Sequence, residues 1–110
     1  MKEPEVIQFQ KIVNERLRKV NVILGEKGKE YSRNNNPFHN FDIGARMEGK
    51  PAPEILDGFL LKHIISYKDM IKDIEAGKTI PAPLIEEKFG DIITYFIIQE
   101  ALIKIRHGQA

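Results

Sequence analysis

The chain has 110 residues, 42% hydrophobic and 30% charged, a globular balance that sets aside a disordered polymer. Seventeen basic side chains against sixteen acidic ones leave a formal net charge of +1, too weak a field to draw nucleic acid or an anionic lipid surface. Cys is absent, which excludes disulfides, thiolate zinc sites and a cysteine nucleophile together. The length predicts a single domain over residues 1–110 with one core. No secretory leader pattern is visible and no apolar run is long enough to span a bilayer. With the missing Cys, this predicts a cytoplasmic protein with no membrane and no nucleic-acid partner.

The first helix is expected to begin near Pro4, with Glu3 and Glu5 beside its positive end. Val6, Phe9, Val13, Leu17, Val20 and Leu24 recur at steps of three and four, one narrow apolar stripe, and Gly25 stands where a helix would stop. A polar, turn-forming stretch follows over 26–37. A short helix from about Phe41 to Met47, capped by Asn40 and ended by Gly49, comes next. Pro51 and Pro53 mark a restart into a second long helix that runs to about Glu75 and ends at Gly77. Thr79-Ile80-Pro81-Ala82-Pro83 is a stiff connector, and the last helix spans about Leu84 to Arg106. No segment alternates with period two. The expected fold is an all-α helical bundle of about four helices, one of them short.

On a helical wheel, Lys62, Ser66, Asp69 and Asp73 form one stripe of the second long helix. Beside it lies an apolar arc of Leu56, Phe59, Leu60, Ile64, Met70 and Ile71, with His63 and Tyr67 inside it. Leu61 and Ile65 fall on the far side, so this helix is expected to be contacted from more than one direction, with another subunit as one candidate. On the last helix Glu87, Asp91 and Thr94 lead into Ile98, Leu102 and Ile105, whereas Lys88, Tyr95, Gln99 and Arg106 share a stripe that reads as wetter. Carboxylates in line with a buried face require a cation or metal to meet them. Lys62 and His63 are candidate protein partners, and Mg²⁺ is the candidate ion, because hard cations favour carboxylate oxygens.

Each feature also has a structural explanation. Glu87 and Asp91 occupy the first turns of their helix, where acids stabilise the dipole. A histidine in an apolar arc, such as His63, is more often a hydrogen-bonded core residue than a catalyst, and Lys62 with Asp69 or Asp73 would serve equally as a solvated salt-bridge ladder. The polar loop, with Lys27, Lys29 and Arg33, would cradle phosphate or simply be a surface loop. It lacks the spacing of a Walker motif, and no nucleophilic triad or dinucleotide fingerprint is present.

Four blocks in order carry a resemblance: Lys27-Gly-Lys-Glu-Tyr31, Asn36-Pro-Phe-His-Asn-Phe41, Leu61-Lys-His-Ile-Ile-Ser66, and Glu87-Lys-Phe-Gly-Asp-Ile-Ile-Thr-Tyr95. Over about Glu26 to Leu102 the chain resembles the small, all-α, phage-encoded family labelled "nucleotide modification associated domain", which implies a nucleotide context. It is also distantly similar to the MazG-like nucleoside triphosphate pyrophosphohydrolases, in which acids on two antiparallel helices bind Mg²⁺. Glu87-Lys88-Phe89-Gly90-Asp91 matches their Glu-Glu-Leu-Gly-Asp-like segment except at Lys88, and the earlier helix offers Glu54 with Asp57, or Asp69 with Asp73, in place of a Glu-x-x-Glu motif.

The resemblance and the wheel together imply a protein that binds a nucleotide or related phosphorylated small molecule, with Mg²⁺-dependent hydrolysis as its enzymatic form. In that reading Glu87, Asp91 and Asp69 ligate the metal, Lys62 meets phosphate, and His63 orients substrate or water. Lys27, Tyr31 and Asn40 contact the ligand. The rival expectation is a non-enzymatic phage protein that binds a host protein or sequesters a small signal. Under either, short helices with apolar faces on several sides predict a homo-oligomer.

Overall fold

The computed structural model describes residues 2–26, 33 and 36–109, with Glu26 described by its backbone alone. The described residues form four α-helices, α1 (Glu3–Val20), α2 (His39–Glu48), α3 (Ala52–Glu75) and α4 (Ala82–Arg106), with a π-helical stretch, Asn21–Glu26, after α1. No strand occurs among them beyond an isolated bridge between Arg33 and Asn36. The protein is all-α, as its periodicity predicts. Among the described residues no helix is long and apolar enough to cross a membrane. Backbone contacts divide the chain into two compact units, Met1–Pro37 and Phe38–Ala110.

In the first unit, α1 carries Glu3 and Glu5 in its first turn and Arg18 and Lys19 in its last, charges that suit the helix dipole at both ends. Arg18 donates two hydrogen bonds to Glu15, at 2.6 and 3.1 Å, and these hold the Glu15 carboxyl below the usual glutamate range. Gly25 does not end the helix. The turn widens to π spacing from Asn21 onward, and Gly25 lies inside that stretch. No residue of α1 is buried.

In the second unit, α2 starts two residues earlier than the capping pattern suggests. Phe38, not Asn40, is its N-cap, and the Phe38 carbonyl accepts from the amides of Phe41 and Asp42 at 3.0 and 2.9 Å. Asn40 is therefore an exposed first-turn residue. Gly49 at φ 66° and Gly77 at φ 82° end α2 and α3 in the left-handed conformation that a side chain would strain. Pro51 and Pro81 precede α3 and α4, where a missing amide hydrogen costs nothing.

Phe38, Phe41, Leu56 and Leu102 form the core, with Ala52, Ile55, Tyr95, Ile98 and Ala101 packed around it. Arg106 fastens the end of α4 to α2. Its guanidinium donates to both carboxylate oxygens of Asp42, at 2.5 and 3.0 Å, and lies 5.0 Å from the Phe38 ring centre.

Candidate functional site

The short connector makes α3 and α4 antiparallel neighbours, and side-chain pairs step down one helix as they climb the other. Ser66 meets Lys88, His63 meets Asp91, Phe59 meets Tyr95, and Pro53 meets Gln99. The first three contacts fall at matching intervals, as expected of two straight helices of equal pitch.

His63 sits at the middle of this seam. Its Nδ1 lies 3.5 Å from Asp91 Oδ2, an ion pair whenever the ring is protonated. Its ring is stacked against Tyr95, with centroids 5.1 Å apart and planes inclined by 27°. Tyr95 is in turn stacked on Phe59 at 6.4 Å and meets Phe41 edge-on at the same distance. Phe41 and Phe59 close the group with an edge contact at 5.7 Å. Three rings from three helices, Phe41, Phe59 and Tyr95, thus back one imidazole through Tyr95. The His63 side chain is 31% exposed and that of Asp91 43%, so the pair is reachable from solvent while held in place.

One turn away, the Lys88 ammonium donates to the Ser66 carbonyl at 3.1 Å and also to the Ser66 hydroxyl. Further along, Gln99 Nε2 donates to the Pro53 carbonyl at 2.8 Å, and its Oε1 is buried without a partner among the described residues.

The arrangement corrects several expectations. No polar or charged side chain is fully buried among the described residues, so the sheltered cluster of acids and lysine does not form. Lys62 is exposed on α3, and the side chain that meets Asp91 is its neighbour His63. Glu87 and Asp69 are exposed, and among the described residues no three acidic or histidine side chains are grouped to hold a metal ion. One carboxylate beside one imidazole is a sparse donor set for Mg²⁺, a hard cation that favours carboxylate oxygens. Asn40 is exposed in the first turn of α2, and Lys27 and Tyr31 lie outside the described residues.

Tyr95, Lys88 and Gln99 carry the seam, yet the wheel assigns them to wet surface. Their common stripe was the available signal: long amphipathic side chains cover apolar surface with their stems while their polar tips reach a partner. No family model, curated protein or solved structure matches the chain.

Proposed function

We propose that this chain is a small helical protein of the phage type its four blocks resemble, and that it binds a nucleotide or related phosphorylated small molecule at the α3–α4 seam around His63. The observation that carries the reading is the braced but accessible imidazole, stacked on Tyr95 and paired with Asp91 across two helices. A side chain fixed from two directions loses little entropy when it engages a ligand. With Nδ1 turned to the carboxylate, Nε2 is the nitrogen that meets a phosphate oxygen or an attacking water. Lys62, adjacent in sequence and exposed, supplies a cation for the same phosphate.

Binding without hydrolysis is the form that the geometry favours. The acids for a Mg²⁺-dependent pyrophosphohydrolase are present in the chain, but Glu87 and Asp69 are not grouped with Asp91 into an ion-holding set. The rival, a protein whose partner is another protein, is favoured by one observation. Ile85, Phe89, Phe96 and Ile103 share a side of α4 and are all exposed.

Thermal melting of the full chain with nucleoside mono-, di- and triphosphates and inorganic phosphate, each with and without Mg²⁺, separates these readings. The expected result is a rise in melting temperature with nucleotide that does not need metal and is lost in His63→Ala. A ligand at a hundredfold excess over its dissociation constant stabilises the fold by about 2.7 kcal/mol, well within the reach of such a measurement. Stabilisation only with Mg²⁺, together with nucleotide turnover abolished by Asp91→Asn, would restore the hydrolase. No shift with any nucleotide would leave the protein-binding reading.

A further inference from the structure

Helix α1 is 18 residues long and buries no side chain, although Phe9 and Leu17 are 52% and 58% exposed on its apolar stripe. Val13 and Val20 on the same stripe are half-buried, so the stripe is only partly covered. Val6, Ile7, Ile12, Val13 and Val20 are β-branched and weak helix formers, and a chain of this length depends on packing against something. Its charges indicate what that something is. At about 100° per residue, Val6, Phe9, Val13, Leu17 and Val20 lie along one line, and Glu5 and Arg16 border that line on the same side. Lys2 apart, the first turn is acidic through Glu3 and Glu5 and the last is basic through Arg18 and Lys19.

We propose that α1 is a self-association helix that pairs antiparallel with α1 of a second copy of this chain. In an antiparallel pair, residues on the same border of the stripe face each other across the seam. Glu5 of each copy then lies beside Arg16 of the other, while Val6 packs near Leu17 and Phe9 near Val13. The acidic first turn of each copy approaches the basic last turn of its partner, and the helix dipoles oppose. A parallel pair would gather Glu3 and Glu5 of both copies at one end and Arg18 and Lys19 of both at the other. The small net charge of +1 sets no general repulsion between copies.

Sedimentation equilibrium of the full chain is expected to show a dimer. Phe9→Asp should convert it to monomer with the helicity of the second unit intact. Glu5→Arg should weaken the dimer about tenfold, since two attractive pairs become repulsive. Adding Arg16→Glu to Glu5→Arg should restore it. That rescue is diagnostic, because both substitutions oppose the dipole of α1 and a merely structural role would worsen with the second. The chain has no Cys, so orientation can be read by cross-linking: Val6→Cys mixed with Leu17→Cys should form a disulfide, and Val6→Cys alone should not. A monomer at all concentrations, a dimer indifferent to Phe9→Asp, a double variant weaker than Glu5→Arg, or self-linking through Val6→Cys would each overturn the proposal.

Discussion

A Cβ at Gly44 would stand 2.7 Å from Cγ2 of Ile55, whereas one at Gly58 would meet nothing within 4 Å. Both glycines lie inside helices, where Ala is the better helix former by about 1 kcal/mol. At Gly58 nothing opposes that gain, so Gly58→Ala is expected to stabilise the protein by about 0.5–1 kcal/mol. At Gly44 the obstructing methyl belongs to a β-branched side chain with a stiff χ1, in a layer that includes core residues. Overpacking of that kind costs about 1–3 kcal/mol, which outweighs the propensity gain. Gly44→Ala should therefore lower the urea midpoint while Gly58→Ala raises it. Equal shifts in one direction would show that α2 and α3 do not approach as closely as Gly44 and Ile55 indicate. The same closeness holds Phe41 against Phe59, so Gly44 indirectly sets the aromatic group around His63.

At the level of the helix, α4 tests how a face is assigned. Its stripe of Ile98, Leu102 and Ile105 reads as one buried line, yet Leu102 is fully buried and Ile105 is 71% exposed. Leu102→Ala should cost about 2–5 kcal/mol, the range for emptying a core leucine site, and Ile105→Ala should stay within about 0.5 kcal/mol. Chemical denaturation of the two variants checks this, and comparable losses would mean that the face lies where the apolar pattern puts it. Ile98 and Leu102 do pack in the core, and what the pattern missed at the rest of the face has a physical reason. Beside Ile98 and Leu102, the packed side of α4 carries Lys88, Tyr95 and Gln99 toward α3 and Arg106 toward α2, whose polar tips are satisfied by Ser66, the Pro53 carbonyl and Asp42, or that stack on rings. A hydrophobicity count scores the tips and misses the stems. Helix ends were legible because their causes are local: Gly49 and Gly77 supply positive φ, and Pro51 and Pro81 stand just before α3 and α4. His63 and Asp91 were legible as candidates from their positions on two apolar helices. Their pairing, and the absence of a third acid grouped with them among the described residues, depend on how α3 and α4 are registered, which no single helix encodes.

For the chain as a whole, the distribution of core residues sets what can fold alone. Phe38, Phe41, Leu56 and Leu102 all lie in the second unit, as do the residues packed around them. The Arg106–Asp42 pair and the seam through His63 lie there too. Residues 38–110, expressed as a fragment, should therefore keep a cooperative urea transition and the Tyr95–His63 stacking. A fragment of this size works with little surplus, since one small core contributes only about 3–5 kcal/mol of net stability. The fragment is also expected to lose concentration-dependent association, because the charged and apolar borders of α1 are gone with residues 1–37. The apolar side of α4, with Phe96 51% exposed, stays in the fragment and acts as the internal control. Sedimentation of the fragment beside the full chain decides between the two surfaces. A fragment that still dimerises assigns association to α4, and one that unfolds without a cooperative transition shows that residues 1–37 complete the core.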